Sequence, residues 1–144
     1  MQSAPPTHVR PLLLLIEDDP AVLGALTFAF DTEGYRVAAF RDAATVLAAP
    51  HLDEPACIVI DHRLPGLSGL QVLSHLRARG VTAPALLITT HPNAALRREA
   101  SAAHVEIVEK PLLGDVLAAK VRALSSHQLA GGHGLAPAPT SPEE

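Results

Sequence analysis

The amino-acid sequence predicts an α/β fold, a doubly wound five-stranded parallel sheet with helices on both of its faces. Two observations predict it: five short apolar runs are spaced along residues 12–108, and segments with apolar residues at helical spacing alternate with them. Parallel strands need crossover connections, and right-handed crossovers place helices on both faces of the sheet. The chain of 144 residues is long enough to bury one such core without disulfides.

The strands are predicted from runs of apolar residues. The first run, residues 12–16, contains only Leu and Ile and suits a strand that is buried on both faces. The later strands are predicted at residues 35–40, 57–60, 85–88 and 105–108.

The helices are predicted from capping residues and from apolar spacing. Asp19 followed by Pro20 suits an N-cap and a first helical position, and Gly34 suits the end of that helix. Ser68 and Gln71 form a capping-box pattern at the start of the third helix. The remaining helices are predicted at residues 42–49, 93–103 and 113–124, and the apolar stripe of the last one contains Val116, Leu117, Val121 and Leu124.

Carboxylates follow two of the predicted strands. Glu17, Asp18 and Asp19 come directly after the first strand, and Asp61 ends the third. The carboxyl ends of parallel strands meet at one edge, where open α/β sheets bind ligands. Clustered carboxylates repel each other unless a cation or a raised pKa relieves them, and an all-oxygen ligand set favours Mg²⁺. Asp19 is better explained as the helix N-cap than as a ligand.

Two further strand ends supply groups of different chemistry to the same edge. Thr89 follows the fourth apolar run, and Lys110 with Pro111 follows the fifth. The edge is therefore expected to hold carboxylates, a hydroxyl group and an ammonium group.

Taken together, these pieces resemble the receiver domains of bacterial two-component response regulators. The resemblance covers roughly residues 10–124, and the spacings between its pieces are close to those usual in the family. The sequence of the phosphoacceptor stretch most resembles the nitrogen-fixation regulator branch. The matching pieces are Glu17-Asp18, Asp61-His62-Arg63-Leu64-Pro65-Gly66-Leu67-Ser68-Gly69-Leu70, Thr89-Thr90 and Lys110-Pro111.

The resemblance implies a flavodoxin-like sheet with the strand order 2-1-3-4-5 and a phosphoacceptor chemistry. Asp61 would take a phosphoryl group from a sensor histidine kinase or a histidine phosphotransfer protein, and Lys110 and Thr89 would contact the phosphoryl oxygens. The chain would then not be an enzyme in the ordinary sense, although it would promote its own phosphorylation and dephosphorylation. The Mg²⁺ ligands implied by the family are the side chains of Asp18, Asp61 and Glu17 and the backbone carbonyl of Arg63.

Three positions near the site differ among receivers. Arg63 and His91 each lie two residues after a site residue, where the family tunes the access of water to the acyl phosphate and so the lifetime of the signal. Their interpretation as ordinary exposed loop residues is equally open. Ile107 stands three residues before Lys110, where the family usually has Tyr or Phe, so the usual aromatic switch is absent.

Composition limits the partners. The net charge of −4 gives no sign of the basic surface that binds nucleic acid, and the single Cys excludes an internal disulfide. The apolar runs are shorter than the ~18 residues that a membrane span needs, and no signal-peptide pattern is present. We therefore expect a cytoplasmic protein without membrane or nucleic-acid contacts, as a monomer or weak homodimer.

The expected layout is a flexible lead-in at residues 1–10, a receiver domain at residues 11–125 and a disordered tail at residues 126–144. The tail is too short for an output domain, so the leading hypothesis is a stand-alone phosphoacceptor. The alternative is a pseudo-receiver that acts as an interaction module independent of phosphorylation. A Mg²⁺-dependent phosphatase is a poor third, because Arg63 occupies the position where that chemistry needs a second acid.

Overall fold

The computed structural model describes residues 10–49, 53–112 and 115–133, with side chains described up to residue 126. Within these ranges five strands alternate with five helices, as the sequence predicts. In chain order they are β1 (Leu12–Ile16), α1 (Pro20–Thr32), β2 (Arg36–Phe40), α2 (Ala43–Ala48), β3 (Cys57–Asp61), α3 (Gly69–Ala78), β4 (Ala85–Thr89), α4 (Ala94–Ala102), β5 (Glu106–Glu109) and α5 (Val116–His133).

The sheet is parallel throughout and has the order β2-β1-β3-β4-β5, which confirms the predicted fold class and strand order. β1, β3 and β4 are buried along their whole length, because helices cover both faces of the central strands. β2 and β5 form the edges and are partly exposed. Since β1 and β3 are neighbours, the acidic residues that follow them come to the same edge.

Alternation along the strands divides the core into two layers. Ile58 and Ile60 of β3 lie in one cluster with residues of α2, α3 and α4. Cys57 and Val59 lie in the other cluster with residues of α1 and α5. Each central strand therefore contributes apolar side chains to both faces, which explains why its sequence shows no polar alternation.

The predicted capping residues of α1 and α3 are confirmed. The Asp19 side chain accepts hydrogen bonds from the backbone N–H groups of Ala21 and Val22, at 2.9 and 3.3 Å. Ser68 and Gln71 bond each other's backbone N–H groups reciprocally, so the capping box is complete. These caps fix where the chain leaves the edge of the sheet and turns into α1 and α3.

The last helix departs from the prediction in two ways. It extends to His133, well past the predicted end at Leu124 and into the segment expected to be disordered, since no Gly or Pro interrupts residues 124–130. Val116 is 54% exposed and does not belong to the apolar stripe. Val116 and Leu117 lie about 100° apart around the helix, so burying Leu117 against the sheet turns Val116 outward.

The structure describes Arg10 at the start of the predicted domain, but not the residues farther out at either terminus. Arg10, expected in the flexible lead-in, donates hydrogen bonds to Asp31 and to the backbone carbonyls of Gly34 and Tyr35. Residues 1–9 and 134–144, on which the rest of the expected flexibility falls, lie outside the described residues. Among the described helices, none is long and apolar enough to cross a bilayer.

Helices α1, α3 and α4 end in the same backbone motif, in which one residue adopts a left-handed conformation. In α1 and α3 this residue is Gly34 or Gly80, with φ of 102° and 93°, but in α4 it is His104, with φ of 61°. A side chain in this region is strained, whereas glycine is not. The closing hydrogen bonds run from Tyr35 to Phe30, from Val81 to Leu76 and from Val105 to Ala100.

We expect His104→Gly to raise the free energy of unfolding by about 0.5–1 kcal/mol, because relief of the left-handed strain outweighs the added freedom of the unfolded chain. Urea denaturation would measure this. The reverse change at the matched position, Gly80→His, should lower the free energy of unfolding by a similar amount. Loss of stability in His104→Gly would show instead that the His104 side chain makes a stabilising contact.

Candidate functional site

Three carboxylates converge at the carboxyl edge of the sheet. One oxygen from each of Glu17, Asp18 and Asp61 lies within 4.8 Å of the others. Glu17 is 0% exposed and Asp61 is 4% exposed, while Asp18 faces solvent. The structure thus brings together the acidic residues that the sequence places after β1 and β3, and it leaves Asp19 as the N-cap of α1.

Lys110 lies between the two buried carboxylates. Its Nζ atom is 3.3 Å from Glu17 Oε1 and 3.7 Å from Asp61 Oδ2. Its backbone N–H donates to the carbonyl of Thr89 at 2.8 Å, which ties the end of β5 to β4. One cation therefore serves two buried anions.

Backbone N–H groups also hold the carboxylates. The N–H of Asp19 donates to Glu17 Oε2 at 3.1 Å, and the N–H of Arg63 lies 3.4 Å from Asp61 Oδ1. Glu17 Oε1 is buried and forms the ion pair with Lys110, but it accepts no hydrogen bond from the residues that the structure describes. Three clustered carboxylates, two of which share this ammonium group, are a donor set that fits a hard divalent cation such as Mg²⁺.

Both buried carboxyl groups resist ionisation. Burial raises the pKa of Glu17, and the charge of Asp61 adds to this, while the Asp19 N–H and Lys110 oppose it. Burial likewise raises the pKa of Asp61, with Lys110 and a hydrogen bond with Glu17 opposing it. Without a divalent cation, the site therefore favours retaining a proton between these groups.

The other predicted site residues lie around this cluster. Thr89 ends β4 and is 5% exposed, and Thr90 beside it is exposed. Arg63 and His91 are exposed loop residues that line a cavity of about 480 Å³ together with Thr89. The peptide bond between Lys110 and Pro111 is cis.

Ile107, at the position of the missing aromatic residue, is partly buried on the face covered by α2, α3 and α4. It pairs with Leu87 across β4 and β5. An aliphatic side chain therefore fills part of this layer where the family usually has a ring.

Two contacts that shape the site were not predicted. At Gly69, a Cβ atom would lie 2.5 Å from the carbonyl oxygen of Asp61 and 2.9 Å from Leu87, so the start of α3 packs directly on the end of β3. His62, which the sequence places on the rim of the site beside Asp61, has a buried Nδ1 atom without a hydrogen-bond partner in the described part of the chain. The glycine directly after the N-cap Ser68 was a sequence signal for the first contact, but nothing in the sequence signalled the burial of the His62 nitrogen.

Comparison with protein-family models decides the classification. The response regulator receiver domain model matches residues 13–122, most of the described chain. The chain belongs to this family. Receiver domains are phosphoacceptors of two-component signal transduction, which receive phosphate from histidine kinases and bind Mg²⁺ at an acidic pocket.

Curated relatives of this receiver include longer regulators. It is 36% identical over 124 residues to the transcriptional regulatory protein FixJ of Azorhizobium caulinodans, covering 85% of this chain and 56% of FixJ. It is 34% identical over 118 residues to the C4-dicarboxylate transport transcriptional regulatory protein DctD of Pseudomonas aeruginosa, covering 81% of this chain and 26% of DctD. The receiver thus spans little more than half of FixJ and about a quarter of DctD.

Solved structures give the same classification. Full-length FixJ from B. japonicum matches with 31% identity and a TM-score of 0.74, over 85% of this receiver and 61% of that chain. The receiver domain of a putative Luxo repressor protein from Vibrio parahaemolyticus matches with 20% identity and a TM-score of 0.80, over 90% of this chain and 100% of that one. The second likeness shows the fold alone.

We expect Gly69→Ala to destabilise this receiver and displace Asp61, because the new methyl group would meet the Asp61 backbone and not a flexible side-chain end. The matched control is Gly24→Ala in the middle of α1, where nothing lies within 4 Å of an added Cβ. That change should stabilise the protein by up to about 1 kcal/mol through helix propensity. Thermal unfolding of both variants would measure the difference; equal stabilisation would disprove the close packing at Gly69.

The raised pKa values predict a pH dependence of stability in metal-free buffer. The ordinary values are 3.8 for Asp61 and 4.5 for Glu17, and both are raised in the folded state. The folded protein therefore keeps protons that the unfolded chain releases. This contribution to stability is fully present below the ordinary values and is lost as the pH rises through the raised ones.

Urea denaturation from about pH 4 to pH 8 should show this decline in wild-type protein, and the double variant Glu17→Gln/Asp61→Asn should lack this part of it. Saturating Mg²⁺ should restore wild-type stability at the upper end, since it neutralises the ionised carboxylates. A double variant with the same pH slope as the wild type would contradict the assignment.

Proposed function

We propose that this chain is a receiver whose Asp61 accepts a phosphoryl group from the phosphohistidine of a sensor histidine kinase or a histidine phosphotransfer protein. The observation that carries the proposal is the buried Asp61 carboxylate, set between Lys110 and the acidic cluster with Glu17 and Asp18. Such a group is a nucleophile with charge-neutralising partners already in place.

In the proposed transfer, a carboxylate oxygen of Asp61 attacks phosphorus in line with the phosphorus–nitrogen bond of the donor. The new phosphorus–oxygen bond forms as that bond breaks, and the imidazole leaves with its electron pair and takes up a proton. Apart from the attacking oxygen of Asp61, the protein takes no part in the covalent chemistry. Positioning and charge neutralisation therefore supply most of the catalysis.

Lys110 and Thr89 are assigned to the phosphoryl oxygens. In the free protein the Lys110 ammonium group pairs with Glu17 and Asp61. Once Asp61 carries the phosphoryl group as an acyl phosphate, the same ammonium group would pair with one phosphoryl oxygen and the Thr89 hydroxyl would donate to another. Thr89 ends β4, the neighbour of β3, and Lys110 follows β5, the next strand beyond β4, which supports these roles.

Mg²⁺ would be held by Asp18 and Asp61 directly and by Glu17 through water, with the backbone carbonyl of Arg63 as a further ligand. When bound, it supplies positive charge that offsets the repulsion between the incoming phosphate and the carboxylates. The three clustered carboxylates, two of which already share the ammonium group of Lys110, support a cation at this position.

Arg63 and His91 are assigned to the lifetime of the acyl phosphate. Both line the cavity that also contains Thr89, so both stand where water would approach the phosphoryl group. The receiver would in this way assist its own dephosphorylation. The phosphorylated form would signal through contacts with a separate protein, and the net charge of −4 argues against nucleic acid as the direct target.

The proposal predicts that acetyl phosphate with Mg²⁺ adds one phosphoryl group to the chain and that Asp61→Asn prevents this. Intact-mass spectrometry would measure the addition. Asp18→Ala should abolish it by removing a metal ligand, whereas the neighbouring Asp19→Ala should keep it and lose about 1 kcal/mol of stability with the N-cap.

A wild-type protein that stays unmodified at saturating donor and Mg²⁺ would overturn the phosphoacceptor proposal. It would favour the pseudo-receiver, for which the missing aromatic residue at Ile107 is the supporting observation. If phosphorylation were lost in Asp19→Ala but kept in Asp18→Ala, the metal ligand would be Asp19 and not Asp18.

A further inference from the structure

Asp19 contacts both the start of α1 and the acidic cluster. Its side-chain carboxylate accepts hydrogen bonds from the N–H groups of Ala21 and Val22, and so caps the helix. Its own backbone N–H donates to Glu17 Oε2 at 3.1 Å. A single residue therefore joins the first turn of α1 to a buried carboxylate of the site.

The carboxylate of Glu17 has one backbone donor among the described residues, and that donor is the Asp19 N–H. Its other oxygen, Oε1, lies 3.3 Å from Lys110 Nζ, but that ammonium group also pairs with Asp61 at 3.7 Å. A shared ammonium group at the end of a long side chain orients a carboxylate loosely. The direction of a backbone N–H is instead set by the chain itself, so Asp19 is the better candidate for fixing how Glu17 points.

The backbone of Asp19 is extended, with φ of −77° and ψ of 114°. Pro20 favours this ψ, because a residue before proline avoids the helical region. Proline still leaves a broad range of φ to that residue, and rotation about φ turns the N–H relative to the side chain. The two capping bonds narrow this range, since they anchor the Asp19 side chain on α1.

We propose that Asp19 is a positioning residue of the Mg²⁺ site, because its capping side chain holds the backbone N–H that orients Glu17. The inference rests on the proposed function, in which Glu17 takes part in holding the cation. Without the cap, Glu17 would keep only looser contacts, and its carboxylate would have to be ordered when Mg²⁺ binds. Groups that orient metal-binding side chains affect metal affinity in this way.

The test is a titration of the full-length protein with MgCl₂, followed by amide chemical shifts in NMR. Wild type is compared with Asp19→Ala, which loses the cap, and with Asp19→Asn, which loses the charge but keeps a capping oxygen. The Mg²⁺ dissociation constant should rise about tenfold in Asp19→Ala. In Asp19→Asn it should rise about threefold or less, through the lost charge alone. Saturating Mg²⁺ overcomes the weaker affinity, so Asp19→Ala should still be phosphorylated.

A second readout needs no metal. The backbone amide of residue 19 is present in all three proteins, so its hydrogen exchange in metal-free buffer reports the bond to Glu17 Oε2. After correction for residue type, protection of this amide should fall in Asp19→Ala and persist in Asp19→Asn.

The matched control is Asp42→Ala. Asp42 is the N-cap of α2 and lines a cavity together with Asp18, so this change also removes a cap and a negative charge near the site. It should destabilise the protein but leave the Mg²⁺ dissociation constant within about threefold of wild type.

Three results would overturn the positioning role while leaving the metal site of the proposed function intact. The first is an equal loss of affinity in Asp19→Ala and Asp19→Asn, which would assign the effect to charge. The second is an equal loss in Asp42→Ala, which would assign it to charge or general stability. The third is unchanged affinity, or unchanged protection of the residue-19 amide, in Asp19→Ala. Wild-type protein without saturable Mg²⁺ shifts would instead overturn the metal site itself, and the inference with it.

Discussion

The Lys110 ammonium group compensates two buried carboxylates, and the rest of the site depends on how incompletely it does so. At 3.3 and 3.7 Å each pair is worth about 4–5 kcal/mol at an effective dielectric constant near 20. Removing each carboxylate from water costs several kcal/mol, and the ammonium group pays its own desolvation cost. One cation therefore cannot fully offset two anions. The remaining imbalance gives the edge its affinity for protons, divalent cations and, in the proposed function, a positioned phosphoryl group with its metal.

The parallel sheet produces this imbalance without any strained element of its own. Adjacent β1 and β3 must deliver Glu17 and Asp61 to the same edge, and the bond between Lys110 N–H and the Thr89 carbonyl brings the ammonium group there from β5. The same geometry brings the starts of α3 and α4 together beside the carboxylates. An acidic site and a donor-rich cavity thus lie next to each other, because the carboxyl ends of the strands and the N-termini of the following helices lie at the same edge of the sheet.

The structural features that could be predicted from the sequence depend on neighbouring residues or on a periodic pattern. The Asp19 cap, the Ser68 capping box and the buried central strands depend on neighbouring residues, and all are confirmed. The convergence of the carboxylates followed from the predicted parallel sheet, whose strands end at one edge, and the family resemblance supplied the strand order. The outward turn of Val116 and the orphaned nitrogen of His62 depend on how a helix or loop packs against a particular partner. No pattern in the chain encodes those contacts directly.

The contact at Gly69 also has a mechanical consequence. With no side chain between them, and with the Gly69 N–H bonded to the carbonyl of His62, the backbone after Asp61 and the first turn of α3 share a rigid junction. A longer or looser connection would absorb a displacement of the Asp61 backbone. Here the two backbones are in direct contact, so a displacement at the end of β3 acts directly on the first turn of α3.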